Sequence, residues 1–203
     1  EISACLVGSE MCIRDRRLVE TGVKRIDVTD KSLREFLDTP PYAEDARSKI
    51  DQIGVVNGLA WTEVGGELLE VEAGVMDGTG KLELTGNLGQ VMQESVKAAY
   101  TCLRSRAAEL GIAPDFYKTK DIHVHFPEGA VPKDGPSAGI AVTTAMLSAL
   151  TGRKVRGDVA MTGEITLHGN VLPIGGLREK SMAAYREGMK LSLIHISEPT
   201  RQA

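Results

Sequence analysis

The stretch GPSAGIAVTTAMLSALTG, residues 135–152, is the longest part of this 203-residue chain without a charged side chain. About half of its residues are Gly, Pro, Ser or Thr, which is too polar a composition for a membrane span. Pro136 suits the first turn of a helix, and Gly152 suits the position just after one. Because the apolar residues lie on all sides, we expect a buried central helix here.

The residues before this stretch carry β-strand signals. Apolar residues between Val55 and Val75 are interrupted by a Gly-Gly pair at 65–66 and followed by an Asp-Gly pair at 77–78, which predicts strands joined by hairpins. In IHVHF, residues 122–126, apolar side chains alternate with His123 and His125, as in a strand with one buried face. Between these segments, spacings of three and four predict an amphipathic helix with the apolar stripe Met92, Val96, Ala99, Leu103, Ala107 and Leu110.

The ends of this amphipathic helix also have sequence signals. Asn87 and Gln90 are interpreted as its capping pair, and Gly111 as its end. Residues 158–172 are strand-like with turn residues, and a last helix is predicted at about residues 177–188. This order of elements predicts an α+β domain with a β-rich first half and helices packed on a mixed sheet.

Composition excludes several classes of protein. Hydrophobic residues make up 42 % and charged residues 26 %, as in ordinary globular proteins. The formal net charge is −4, so we expect neither a membrane nor a specific nucleic acid as a partner. Cys5, Cys12 and Cys102 are too few and too scattered for a disulfide framework or a zinc site, which favours a reducing, cytoplasmic location.

Ser137 and Lys180 are the candidate reactive residues. Ser137 lies at the start of the central helix, where free backbone N–H groups stabilise a developing oxyanion; the alternative is that it caps the helix. A nucleophilic Ser needs a base, and Lys180 shares the apolar stripe of the last helix with Leu177 and Ala184. The aliphatic side chain of Lys180 either extends its amine to solvent or buries it. Burial lowers the pKa of a lysine, so that a neutral amine can accept the Ser137 proton.

Several sequence blocks carry a family resemblance. They are PKDGPSAG at 132–139, DVAMTGEITLHGNVLPIGGLREK at 158–180, VNGLAWTEVGGELLEVE, TGNLGQVMQESVKAAY and DIHVHFPEGA. The chain thereby resembles the proteolytic domain of ATP-dependent Lon proteases over about residues 53–190. The resemblance implies that Ser137 is the nucleophile and Lys180 the general base of a Ser-Lys dyad.

Three further residues match positions that this family has near its site. The resemblance implies that the hydroxyl of Thr162 helps to hold the lysine, and that Asp134 and Glu72 lie close by. A nearby carboxylate would raise the pKa of the lysine, so Asp134 suits shaping of the loop better than contact with the amine. Asp134 is equally well a turn residue, and Glu72 a solvent-facing charge.

The resemblance also implies a function for the parent protein. It is a serine endopeptidase that hydrolyses peptide bonds of unfolded or damaged proteins, works as a homohexamer and depends on ATP. The chain has no G-x-x-x-x-G-K-[ST] sequence, so we expect no cofactor in this fragment. ATP and Mg²⁺ are implied for the ATPase module alone.

Five segments are predicted along the chain. Residues 1–16 and 191–203 resemble translated sequencing-adapter reads and do not continue the pattern beside them, so we expect both to be non-native. The others are a remnant of the ATPase module's small helical subdomain at 17–38, a linker at 39–52 and the Lon-type domain at 53–190. We expect that domain to lack the strand and helical tail that would follow Lys190, which leaves an open sheet edge.

Two alternative functions remain. Residues 135–139 also fit G-x-S-x-G, the nucleophile elbow of α/β-hydrolases, in which Ser137 would work with His168. A non-catalytic Lon-like assembly domain is the other. His123 and His125 share a strand face and suit either a metal or a structural role, but no third ligand is evident.

Overall fold

A computed structural model of the chain describes residues 19–20, 22, 50–62, 65–127, 129–189 and 191–194, the last four by their backbone. The chain separates into two units, residues 1–47 and 48–203, and nearly all of the described residues belong to the second. The predicted remnant at 17–38 and linker at 39–52 therefore lie almost wholly outside the described residues. Their boundaries stay predictions.

The first two strands form the predicted hairpin. Strand β1 (Val55–Thr62) pairs antiparallel with β2 (Gly65–Asp77), with Thr62 opposite Gly65 at the turn end. Successive strand residues point to opposite faces of a sheet. Val56 and Val71 lie opposite each other and are buried on one face, whereas Leu59 and Leu68 are buried on the other. The hairpin consequently has apolar side chains on both faces and lies inside the sheet.

Among the described residues, the main sheet has six strands and is mixed. The remaining strands are β3 (Leu82–Thr85), β4 (Lys120–His125), β5 (Val159–Thr162), β6 (Glu164–Ile165), β7 (Val171–Leu172) and β8 (Leu191–Ile194). Their order is β3-β4-β2-β1-β5-β8, and β6 with β7 forms a separate two-stranded ribbon. Pairings β1–β2 and β2–β4 are antiparallel, whereas β3–β4, β1–β5 and β5–β8 are parallel.

Helices cover both faces of this sheet. They are α1 (Gln90–Ser105), α2 (Ala107–Leu110), α3 (Phe116–Thr119), α4 (Gly139–Thr151) and α5 (Leu177–Arg186). Helices α1 and α4 pack on the face that carries Val56 and Val71, and α5 packs on the face that carries Leu59 and Leu68. This arrangement confirms the predicted α+β class with helices on a mixed sheet.

The predicted central helix is α4, preceded by a single 3₁₀ turn at Pro136–Ala138. Ala141, Val142, Ala145 and Met146 are fully buried, and Gly152 ends the helix in the left-handed conformation. Among the residues that the structure describes, no helix is long and apolar enough to cross a membrane. The uncharged stretch is thus the core helix that its composition predicts.

The predicted capping pair at the start of α1 is wrong. The helix begins at Gln90, so the cap position is Gly89 and not Asn87, which has a positive φ of 56°. The Gln90 side chain instead donates a hydrogen bond to Glu94 at 3.1 Å. A reciprocal cap requires an extended Ser, Thr, Asp or Asn at the position just before the helix, and this chain has a glycine there.

A further strand, β8, lies beside β5 where none was expected after residue 190, and β8 is now the outer strand of the sheet. Strand β8 pairs in parallel with β5, from Leu191 opposite Val159 to Ile194 opposite Thr162. LSLI, residues 191–194, has alternating apolar residues, a pattern that suits a short strand. The origin of segments 1–16 and 191–203 stays a prediction.

Candidate active site

The turn that carries Ser137 is fixed to the junction between β5 and β6. The Gly163 N–H donates to the carbonyl oxygen of Ser137 at 2.8 Å, and the Gly163 carbonyl accepts the Ile140 N–H at 3.0 Å. Gly135, just before the turn, has a φ of 118°, which residues with a side chain rarely adopt. These contacts hold the backbone of the turn against Gly163, and the Ser137 hydroxyl faces α5.

Lys180 reaches this hydroxyl from α5. Its Nζ lies 2.9 Å from Oγ of Ser137 and 3.3 Å from Oγ1 of Thr162. The side chain is only 3 % exposed, and the neighbouring Ala183 and Ala184 are buried as well. Lys180 therefore follows the apolar stripe inward and does not extend to water.

Close backbone contacts position α5. A side chain at Gly66 would lie 2.1 Å from the carbonyl oxygen of Glu179, and the Gly66 carbonyl accepts a hydrogen bond from Arg186 at 2.9 Å. Gly176, at the start of the helix, has a φ of 68° and lies against the ring of Trp61. Helix α5, which carries Lys180, thus packs directly on the β1–β2 hairpin.

Burial lowers the pKa of Lys180 below its usual value, because the charged ammonium loses hydration. Thr162 is 1 % exposed, and its hydroxyl donates to the carbonyl oxygen of Ser137 at 3.1 Å. Since a hydroxyl has one hydrogen, its oxygen is left to accept from Lys180. A neutral amine that donates to Thr162 has its lone pair free for the Ser137 hydroxyl.

Asp134 lies in the loop before the turn and contacts the backbone. Its Oδ1 accepts the N–H of Gly135 at 2.8 Å and that of Met92 at 2.9 Å, which caps α1 from outside that helix. Gly89 makes room for it, because a side chain there would come within 2.4 Å of the carboxyl carbon. This geometry matches the loop-shaping interpretation.

The structure does not bring Glu72 into the hydrogen-bonded group of Ser137, Thr162 and Lys180. Glu72 is half-buried in β2, opposite Val55 on one side and His125 on the other. A role for it near the site stays a prediction.

The histidines lie elsewhere. His168 is exposed in the turn between β6 and β7, and the residues directly before Ser137 are a loop and not a strand. His123 and His125 both contact Oγ1 of Thr85, at 2.9 and 2.6 Å. Across the described ranges, no three His, Cys, Asp or Glu side chains form a group that could hold a metal ion.

An open cleft of about 510 Å³ adjoins Ser137 and Lys180. It is lined by Trp61, Pro136, Ser137, Glu164, Pro173, Ile174, Gly175, Gly176 and Lys180. Sequence reasoning missed Trp61, Glu164 and the 173–176 segment as site residues. The only signal was their place in the quoted blocks, since no spacing rule shows that strand residue Trp61 is 57 % exposed in the cleft beside Ser137.

The arrangement has the parts for acyl transfer: a hydroxyl nucleophile, an amine base with a lowered pKa, and a cleft for the substrate. Comparison with known proteins points the same way. Residues 27–200 match the family described as the Lon protease (S16) C-terminal proteolytic domain.

Curated relatives agree with this match. The chain is 57 % identical over 173 residues to the Lon protease of Finegoldia magna, covering 85 % of this chain and 22 % of the relative. It is 56 % identical over 177 residues to the Lon protease of Escherichia coli K12, covering 87 % and 23 %. With Lon protease 1 of Myxococcus xanthus it shares 56 % over 179 residues, covering 88 % and 22 %. The chain thus spans less than a quarter of the length of these relatives.

Proposed function

Because the chain belongs to the Lon protease (S16) C-terminal proteolytic domain family, we propose that it is a serine endopeptidase with Ser137 as nucleophile and Lys180 as general base. One observation carries this assignment of roles. The buried Nζ of Lys180 lies 2.9 Å from Oγ of Ser137, within direct proton-transfer distance.

The proposed reaction follows from these contacts. Neutral Lys180 accepts the hydroxyl proton while Oγ of Ser137 attacks the peptide carbonyl, and backbone N–H groups near Ser137 stabilise the oxyanion. The resulting ammonium then donates its proton to the leaving amine, which forms an acyl-enzyme and restores the neutral base. In the second half of the reaction, Lys180 accepts a proton from a water molecule whose oxygen attacks the acyl carbon. The ester bond to Oγ of Ser137 then breaks, Oγ takes the proton back from Lys180, and the acid product leaves. Thr162 keeps the amine oriented through both steps.

The properties of the whole protein form a second part of the proposal. Unfolded or damaged proteins as substrates, a homohexamer, ATP with Mg²⁺ in the ATPase module, and a cytoplasmic location all follow from the resemblance. A buried free thiol at Cys102 agrees with a reducing compartment. None of these is needed for hydrolysis of a short peptide at Ser137.

The test uses the chain as it stands, with a fluorogenic peptide and a fluorophosphonate that labels reactive serines. We expect turnover and labelling in the wild-type chain, and loss of both in Ser137→Ala and Lys180→Met. Ser181→Ala and Lys97→Met are matched controls, because both residues are exposed and Ser181 bonds only its own helix. Both controls should keep wild-type rates.

The alternatives give different results. If His168→Ala abolishes turnover while Lys180→Met keeps it, the hydrolase interpretation replaces the Ser-Lys proposal. If the folded wild-type chain shows neither labelling nor hydrolysis, the non-catalytic assembly domain is favoured.

A further inference from the structure

We propose that Glu164 is a specificity-determining residue that disfavours acidic side chains, and favours basic ones, next to the scissile bond. The inference rests on the proposed function, since it concerns the cleft beside Ser137. It adds a substrate preference to that function.

The backbone fixes Glu164 in the wall of the cleft. The preceding residue, Gly163, is hydrogen-bonded to both Ser137 and Ile140, so the position of Glu164 is tied to that of the nucleophile. On its other side, Glu164 pairs with Leu172 in the β6–β7 ribbon, which leads into the 173–176 segment of the same wall. Glu164 is half-buried and lines the cleft together with Ser137 and Lys180.

Glu164 also dominates the charge of this cleft. The lining contains two ionisable groups besides the Ser137 hydroxyl, namely Glu164 and Lys180, and the rest are apolar or glycine residues. Lys180 must be neutral to act as a base, so the reactive cleft has one net negative charge. Burial lowers the pKa of Lys180, which favours this neutral form. Within the described part of the chain, no cation forms a salt bridge with Glu164.

A carboxylate in a partly water-excluded cleft repels a second carboxylate and attracts a cation. The apolar lining supports the same preference, because Trp61 and Ile174 offer surface to the aliphatic stem of a lysine or arginine. The cation at the end of that stem then lies near Glu164. A substrate glutamate has no such partner here.

The test varies the charge of one residue in the substrate and the charge of residue 164 in the enzyme. Three fluorogenic peptides differ only in Lys, Gln or Glu, first at the residue before the scissile bond and then at the residue after it. At one or both positions, we expect the wild-type kcat/KM to fall in the order Lys, Gln, Glu, with about tenfold between the extremes. Glu164→Gln should remove most of the difference in kcat/KM among the three peptides, and Glu164→Lys should invert their order.

Glu94→Gln is the matched control, because it removes the same charge from an exposed position on α1 that does not line the cleft. It should keep the wild-type order. Equal kcat/KM for all three peptides at both positions, or a wild-type order in Glu164→Gln, would overturn the inference.

Equilibrium binding separates this inference from the proposed function. Trp61 is the only tryptophan of the chain and lines the cleft, so its fluorescence reports binding of the same peptides to Ser137→Ala without turnover. The expected order of affinities is again Lys, Gln, Glu, and it should be lost in Ser137→Ala combined with Glu164→Gln.

If the order appears in binding while the wild-type chain hydrolyses nothing, the proposed function fails and the charge preference stands. If no order appears in binding, the inference is wrong whether or not hydrolysis occurs.

Discussion

The carboxylate of Asp134 accepts the backbone N–H of Met92 at 2.9 Å, across a separation of 42 residues. The loop that leads to Ser137 therefore caps α1, whose own cap position is a glycine without a side chain. The same oxygen also accepts the Gly135 N–H, so one carboxylate orders both the helix start and the residue before the nucleophile turn. The stability of α1 and the placement of Ser137 are consequently linked.

Asp134→Ala should lower the free energy of unfolding by about 1 to 2 kcal/mol, since a helix cap of this kind contributes about that much. Asp134→Asn should cost less, because the amide oxygen still accepts both N–H groups. Urea unfolding followed by circular dichroism measures both. Asp115→Ala is the control, because Asp115 occupies the cap position of α3 without a side-chain cap bond. Equal losses for Asp134→Ala and Asp115→Ala would contradict a special role for the Asp134 cap.

Turnover should rise with pH through the lowered pKa of Lys180, because only the neutral amine accepts the Ser137 proton. A pH profile of kcat/KM should therefore show an ascending limb whose midpoint lies below the usual pKa of a lysine. Thr162→Ser should leave that midpoint in place, since the hydroxyl is kept. A midpoint at or above the ordinary lysine value would show that Lys180 is not buried in the working state.

The same shift predicts a pH-dependent stability cost. The unfolded chain holds the Lys180 proton up to a higher pH than the folded chain does, so stability rises with pH between the two pKa values. At pH values below the pKa of Lys180 in the folded chain, the full cost of burying the amine lowers the stability. Lys180→Met should thus raise the free energy of unfolding at neutral pH, and its advantage should shrink toward about pH 10. Urea unfolding at several pH values measures this, and a constant difference would contradict it.

Thr162→Val should lower kcat by about ten- to a hundredfold with little change in KM, because the amine loses the acceptor that orients it. Valine keeps the shape but also removes the bond to the Ser137 carbonyl. Thr162→Ser should restore most of the rate, because serine supplies the same hydroxyl. If serine and valine reduce kcat equally, the methyl group matters and the hydroxyl does not.

Gly66→Ala should displace α5, because the new methyl group would lie 2.1 Å from the Glu179 carbonyl oxygen. We expect a loss of about 1 to 3 kcal/mol in stability, as for other overpacked sites, together with a lower kcat. Gly74→Ala is the control in the same strand, since nothing lies within 4 Å of its added carbon. Urea unfolding and peptide turnover of both variants give the comparison. Equal behaviour of the two variants would show that this contact does not seat the helix.

Local patterns in the sequence predicted much of this molecule. The uncharged stretch at 135–152 identified α4, and the apolar stripe placed Lys180 on the inner face of α5. Strand alternation identified β4, in which Ile122 and Val124 are buried. Each of these signals lies within a run of neighbouring residues, where a period of two or about 3.6 has a direct physical meaning.

Patterns of neighbouring residues do not predict contacts between distant segments of the chain. The sequence predicts Asn87 as the cap of α1, whereas Asp134 provides it, and no local pattern links Asp134 to this helix. The exposure of Trp61 depends on which parts of β1 the helix α5 leaves uncovered. Likewise, Glu164 shares a cleft with Ser137 only because β6 lies beside the turn that carries Ser137. These features depend on the tertiary arrangement and not on sequence periodicity.

Lys180 is buried beside Ser137 only in the folded chain. In an unfolded chain the amine is a hydrated ammonium that has no fixed position relative to Ser137, 43 residues away. The hydroxyl then has no base, so a chain still being synthesised is chemically inert toward itself and its neighbours. The proposed reactive pair forms only when α5 packs on the hairpin. In the proposed mechanism, folding is therefore the activation step, because it brings the amine of Lys180 to the hydroxyl of Ser137.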